Sequence, residues 1–203
     1  MASTDPKTVF ASLHHRVTGE LLHLLDGFYS NIEDGLFELA YQGDDSQQRR
    51  RCFDLMREMR YRRGSLIQTF AKRLQRQGGD WFGGEDTSRD RQDLALIASR
   101  MSEKANAHFS PLLREIAERA ADGAETGTRT IPVPIRPERV AFHFIASCQS
   151  LDFDKHSIEI VQTLFGRFVL DRMGSVYGDC NRRLMDAGYR TLEEAALLAK
   201  SSA

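Results

Sequence analysis

The stretch DKHSIEIVQTLFGRFVLDRMGSVYGDCNRRLMDAG, residues 154–188, decides the fold. Its apolar residues recur every three or four positions, which is the period of an α-helix and not the period of two that a strand shows. Phe165, Phe168 and Val176 lie on its broad apolar face, and we expect them to be almost fully buried. An aspartate at the start and a glycine at the end suit the two caps of a helix. The sequence therefore predicts a central apolar helix near residues 154–187.

The same helical period continues through the rest of the chain, and no segment alternates with a period of two. A first helix is predicted from about Pro6, followed by a short second helix whose inward side includes Phe37. Ser110-Pro111 predicts a break or kink in a later helix, because proline lacks the N–H that the helix ladder needs. The interpretation is one all-α domain, residues 1–203, of six to eight helices. A subdivision near the loops 78–90 and 123–136 is left open.

Composition places the chain among soluble globular proteins. It has 203 residues, 41% hydrophobic and 28% charged, which is enough apolar content for one core and too much for a disordered chain. The start, MASTDPKTVF, lacks the apolar stretch of a signal peptide, and no apolar run is long enough to span a membrane. Three widely spaced cysteines, Cys52, Cys148 and Cys180, indicate reduced thiols in the core. We therefore expect a cytoplasmic protein with no membrane contact.

The second long helix, predicted over residues 47–77, is rich in arginine. Ten basic residues and two acids lie between Arg49 and Arg76, so the segment carries +8 in a chain of net charge −1. Arginine dominates over lysine, and its planar guanidinium can bind phosphate or carboxylate through two hydrogen bonds. The pattern fits either a solvated, internally paired face or a surface that binds an anion or a partner. The residues that would form this surface are Arg49, Arg50, Arg51, Arg57, Arg60 and Arg62.

Two smaller groups of residues also stand out. Arg63 falls in a gap of the apolar stripe of the basic helix, between Met59 and Leu66, which predicts a partly buried guanidinium. A buried charge needs a partner, and Asp34 and Glu38 on the preceding segment are the nearest acids in sequence. Trp81 and Phe82 lie in a glycine-rich loop, where they either fill the core or contact another molecule.

Two stretches resemble a known family. They are DGLFELA…QRRRCFDLMREMRYRRGSLIQTF, residues 34–70, and FGRFVLDRMGSVYGDCNRRLMDAGY, residues 165–189. The second is similar to a family pattern matched here by Tyr177, Asn181, Leu184 and Gly188. The family consists of long, helix-rich, cytoplasmic bacterial proteins of unknown function, of which this chain looks like a compact version. The resemblance implies an all-helical fold and a bacterial source, and it implies no reaction.

The chain carries no recognisable catalytic signature. It has no nucleophile elbow, no Ser-x-x-Lys, no glycine-rich phosphate loop and no His and Cys spacing typical of a metal site. We therefore expect no cofactor and no metal. The leading hypothesis is a non-enzymatic regulatory or adaptor protein that acts through protein–protein contacts, with a homodimer expected. The alternative is an anion, nucleic-acid or signalling-nucleotide binder that uses the helix 47–77. The chain as a whole is not basic, whereas DNA-binding proteins usually are.

Overall fold

The computed structural model describes residues 5–42, 45–76, 92–124, 132–149, 151 and 153–201. In these residues the chain forms helices and turns and no strand, which confirms the predicted all-α bundle. Two three-residue 3-10 segments, Val133–Ile135 and Leu170–Arg172, accompany the α-helices. The α-helices are α1 (Pro6–Ala40), α2 (Ser46–Arg76), α3 (Gln92–Gly123), α4 (Pro137–Cys148), α5 (Lys155–Phe168), α6 (Gly174–Asp186) and α7 (Leu192–Ser201).

Helices α1 and α2 form a long antiparallel hairpin. The predicted division of the first segment into two helices is wrong, because α1 continues through Ser30 and Asn31 to Ala40. The side chains of these two polar residues donate to the carbonyls of Asp26 and Gly27 in the preceding turn, at 3.0 and 2.6 Å, so they fit within the helix. Asp45 caps α2 by accepting from the backbone N–H of Gln47 at 2.8 Å.

Helix α3 runs through Pro111, so the break predicted at Ser110-Pro111 is wrong, while the alternative of a kink there stays a prediction. Pro111 and Ala107, whose carbonyl loses its hydrogen bond, are both exposed, so water can satisfy that carbonyl. On the opposite side Phe109 and Leu113 are buried and hold both halves of α3 against the bundle. Tertiary packing therefore overrides the local preference for a helix end.

Three aromatic rings from α1, α4 and α5 meet in the centre of the core. The rings of Phe144 and Phe165 stack with centroids 3.8 Å apart, and Phe28 meets both of them edge-on at 5.5 and 5.8 Å. Helix α4 supplies one of these rings and is buried on every side from Val140 to Ser147. It packs against α2 and α3. The prediction that Phe165, Phe168 and Val176 are buried is confirmed.

The segment 154–187 is broken in the middle, and its predicted continuity is wrong. Asp154 caps α5 as expected, since its carboxylate accepts from the N–H of Ser157 at 2.9 Å. The α-helix stops at Phe168, passes through a 3-10 turn and restarts at Gly174. A Cβ at Gly174 would lie 3.1 Å from the ring of Phe109, so a close approach to α3 fixes the chain here. Gly188 ends α6 with φ +91°, as predicted.

Helices that precede the loops 78–90 and 123–136 pack against helices that follow them. Helix α1 contacts α5 and α6, and α2 contacts α4. The subdivision near 78–90 and 123–136 stays a prediction, because all of 78–90 and residues 125–131 lie outside the described residues. Among the described helices, none combines the length and the apolar character that a membrane-spanning helix needs.

Candidate protein-contact surface

The junction of α1 and α2 carries an exposed cluster of aromatic rings. Phe37, Tyr41 and Phe53 are exposed by 53%, 56% and 41%. The rings of Phe37 and Tyr41 lie 4.7 Å apart, and Tyr41 meets Phe53 edge-on at 6.5 Å. Gln48 fixes the junction by donating its side-chain amide to the carbonyl of Leu39 at 3.0 Å. We call Phe37, Tyr41 and Phe53 the aromatic cluster.

The exposure of Phe37 contradicts its predicted inward position. Because α1 is one continuous helix, its buried stripe in this region is set by Ile32, Leu36 and Ala40, which lie at helical spacing. Phe37 follows Leu36 by one residue and is therefore rotated by about 100° away from that stripe. Three exposed aromatic side chains in contact with one another form an apolar patch, which is a feature of interaction sites on soluble proteins.

Arginines of α2 flank the aromatic cluster. The guanidinium of Arg49 lies over the Tyr41 ring, 5.2 Å from its centroid, and is half-buried. Arg50 is exposed and forms no ion pair with an acid of the described residues. Arg57 is exposed and pairs with Asp54 at 2.5 Å on its own helix. Arg49, Arg50, Phe53 and Arg57 lie at helical spacing on one face, so the aromatic and cationic side chains share a single surface.

The other predicted arginines are paired within the chain. Arg60 makes a two-bond contact with Glu33 of α1, at 2.9 and 2.5 Å, and these hydrogen bonds lower the pKa of Glu33. Arg62 pairs with Glu58 at 2.8 Å, and Arg51 lies 3.6 Å from Asp154 at the start of α5. Most arginines of the predicted surface are thus paired with carboxylates of the same chain. Arg50 is the exposed arginine of this set that can still bind a partner.

Arg63 does not form the predicted buried pair with Asp34 or Glu38. Its side chain is 42% exposed, it forms an ion pair with Asp26, and its guanidinium lies 5.9 Å from the centroid of the Tyr29 ring. Asp34 is exposed, and Glu38 pairs instead with Arg167 at 3.0 Å. The reason is the antiparallel register, which places residues further along α2 beside residues earlier on α1.

We expect Arg63→Met to change the free energy of unfolding by less than about 1 kcal/mol, because exposed ion pairs contribute little. Urea denaturation of the single variants and of Arg63→Met with Asp26→Asn measures this, and the double-mutant cycle isolates the pair. A loss several times larger in the single variant would show that the guanidinium acts as a buried group.

A cleft of about 550 Å³ lies between α2 and the start of α5. Its lining includes three arginines and three acids, so their formal charges cancel. These residues are Arg50, Arg51, Arg57, Asp54, Glu58 and Asp154. The acids would repel a polyanion at this cleft, and this balance disfavours the anion-binding alternative.

Sequence reasoning missed a buried charge on α3. Arg119 is only 5% exposed and makes a two-bond contact with Glu194 of α7, at 2.6 and 2.7 Å. It also donates to the side-chain oxygen of Asn181 at 2.7 Å and to the carbonyl of Tyr189 at 2.9 Å. The hydrogen bonds from Arg119 are the main reason that the pKa of Glu194 is lowered to about 2. The sequence contained one sign of this buried charge, because Asn181, which accepts a hydrogen bond from Arg119, belongs to the family pattern.

The cysteines lack reactive surroundings. Cys52 and Cys180 are buried, Cys148 is half-buried, and all three are free. Burial raises the pKa of Cys148 and of Cys180 to about 12, so both thiols are protonated at neutral pH. Within the described part of the chain, no three His, Cys, Asp or Glu side chains are grouped so as to hold a metal ion. Trp81 and Phe82, the predicted interaction aromatics, lie outside the described residues.

The chain matches a protein family of unknown function over most of its length. Residues 5–188 match the model described as Protein of unknown function (DUF1631) N-terminal domain. The chain belongs to this family. The DUF1631 match confirms the resemblance to a helix-rich family of unknown function, and it covers α1 to α6 while α7 lies beyond it. No curated protein and no solved structure matches the chain.

Proposed function

We propose that this DUF1631 domain is a non-enzymatic regulatory or adaptor protein that binds a protein partner through the aromatic cluster and Arg50. The observation that carries the proposal is the contact of three exposed aromatic rings beside arginines at the junction of α1 and α2. Aromatic residues and arginine are enriched at protein interfaces, and they account for a large share of binding hot spots.

The charge of this surface indicates the chemistry of the partner. Arg49, Arg50 and Arg57 flank the aromatic cluster. Arg50 and Arg57 also line the charge-balanced cleft beside α5, whereas Arg49 does not, so Arg49 gives the surface a positive excess around an apolar centre. A partner segment that carries apolar side chains together with carboxylates would complement both properties.

The alternative, an anion, nucleic-acid or signalling-nucleotide binder, has less support. Arg51, Arg60 and Arg62 are already paired with carboxylates of the same chain. The cleft beside α5 has as many acids as arginines. A phosphate ligand would need to displace these acids, whereas an apolar partner segment would use the exposed rings as they are.

The test is affinity purification from the source cell. It compares wild type with a double variant that carries both Arg50→Glu and Phe53→Ala. We expect the double variant to lose the captured protein and to keep its melting temperature, since both side chains are exposed. The matched control is Tyr61→Ala with Arg76→Glu, an exposed aromatic and arginine on the same helix outside the cluster. This control is expected to retain the partner.

Nuclease treatment and a second, higher salt concentration separate the two functions. A partner bound through an apolar centre survives both, whereas binding to nucleic acid falls steeply with salt. Capture that disappears with nuclease, or that persists unchanged in the Arg50 and Phe53 double variant, would overturn the proposal.

A further inference from the structure

Helix α7 is apolar in composition and yet buries none of its residues. Its three leucines, Leu192, Leu197 and Leu198, are all exposed, with Leu197 exposed by 59%. Met185, near the end of α6, is exposed as well and lies with Leu197 and Leu198 around one groove of about 380 Å³. This apolar surface is separate from the aromatic cluster.

The first turn of α7 is held firmly by the end of α3. Glu194 binds Arg119 through two hydrogen bonds and accepts from the N–H of Thr191 at 3.0 Å, while the Thr191 hydroxyl accepts from the N–H of Glu194 at 3.3 Å. Glu118 accepts from the N–H of Leu192 at 3.2 Å. Because these contacts fix the direction of α7 beforehand, a molecule that binds it has little ordering entropy to overcome.

One exposed face of α7 is complementary to itself. Glu193, Ala196, Leu197 and Lys200 lie at positions i, i+3, i+4 and i+7, so they follow one another along the same side of the helix. When two such helices pack antiparallel, each glutamate meets the lysine of the other helix, and Ala196 meets Leu197. Neither Glu193 nor Lys200 forms an ion pair within the described part of the chain.

We propose that α7 is a contact between two copies of this chain, packed antiparallel about a two-fold axis through the face formed by Glu193, Ala196, Leu197 and Lys200. Such an interface is isologous, since the same surface is used by both subunits. Alanine beside leucine lets the two helices approach closely, and the end charges fix the antiparallel register. This contact is separate from the partner surface at the junction of α1 and α2.

The contact area is small, because each copy contributes mainly one helix of ten residues. Interfaces that bury less than about 1,200 Å² in total are typically weak and reversible. We therefore expect a dimer whose population rises with protein concentration over the micromolar to submillimolar range. Sedimentation equilibrium of the full chain measures this directly.

The decisive experiment reverses the charges singly and together. Glu193→Lys alone and Lys200→Glu alone each place like charges opposite one another, and both variants are expected to sediment as monomers. The double variant, Glu193→Lys with Lys200→Glu, restores both pairs and is expected to dimerise like wild type. If each single variant were monomeric only because its substitution destabilised α7, the double variant, which carries both substitutions, would be monomeric as well. Dimerisation of the double variant therefore reports the restored charge pairs.

Mixing the two single variants gives a second arm. Each is monomeric alone, and an equimolar mixture is expected to form a heterodimer, because every lysine then faces a glutamate. Circular dichroism checks that all variants keep the helical content of wild type. A wild-type protein that stays monomeric throughout the range, or single variants that dimerise as wild type does, would overturn the proposal.

Discussion

Phe165→Ala is expected to lower the free energy of unfolding by about 3–5 kcal/mol, the usual cost of removing a phenylalanine from a packed core. Phe165 is fully buried, stacks on Phe144 at 3.8 Å and meets Phe28 edge-on. Helix α1 is 35 residues long and α4 is buried on every side from Val140 to Ser147, so these two helices cannot collapse easily into the cavity. Urea denaturation followed by circular dichroism measures the change.

Phe37→Ala is the matched control, because Phe37 is the same residue type and lies exposed on α1. Its effect on the free energy of unfolding is expected to stay within about 0.5 kcal/mol. Equal losses in the two variants would contradict the assignment of Phe165 to the core and of Phe37 to the surface.

Arg119→Ala is expected to lower the free energy of unfolding by about 1–3 kcal/mol, since it leaves polar groups around a buried site without their donor. The side-chain oxygen of Asn181 and the carbonyl of Tyr189 both lose a hydrogen bond, and Glu194 loses its partner. Thermal melting and urea denaturation measure the loss. Arg182→Ala, at an exposed arginine of α6, is the control and is expected to melt like wild type.

The pH dependence gives a second measure of the same contact. Arg119 and the N–H of Thr191 hold the pKa of Glu194 at about 2, below its ordinary value of 4.5. A carboxylate with a lowered pKa in the folded state stabilises the protein above the ordinary pKa and loses that effect as the pH falls through the lowered one. Glu194→Gln is therefore expected to melt earlier than wild type at pH 7. The difference should shrink between pH 4.5 and 2, and a constant difference over this interval would contradict the assignment.

Local patterns in the sequence determined the fold class and most helix positions. Period and caps placed α2 within one residue at each end, and they identified Asp154 and Gly188 as the ends of the segment 154–187. These features depend on residues within one or two turns of each other, so they can be read along the chain. The burial of Phe165, Phe168 and Val176 followed from the same pattern.

The errors arose where distant residues decide the local structure. Pro111 stays inside α3 because Phe109 and Leu113 anchor both sides of it, and the segment 154–187 breaks where Gly174 meets the ring of Phe109. Phe109 packs against Tyr177 and Gly174 of α6, and these partners cannot be read from the sequence next to Pro111. The inward position predicted for Phe37 depends on a separate second helix, whereas α1 continues through this region.

The partners of the charges were likewise decided by tertiary structure alone. The sequence identified a run of arginines, but the antiparallel register of α1 and α2 assigned Arg63 to Asp26 and Arg60 to Glu33. The pairing of Arg119 with Glu194 joins residues from α3 and α7 that only the folded bundle brings together. A sequence determines which charges a chain carries and on which face of a helix they lie. Which charge neutralises which depends on how the helices pack, because ion pairs form between neighbours in space.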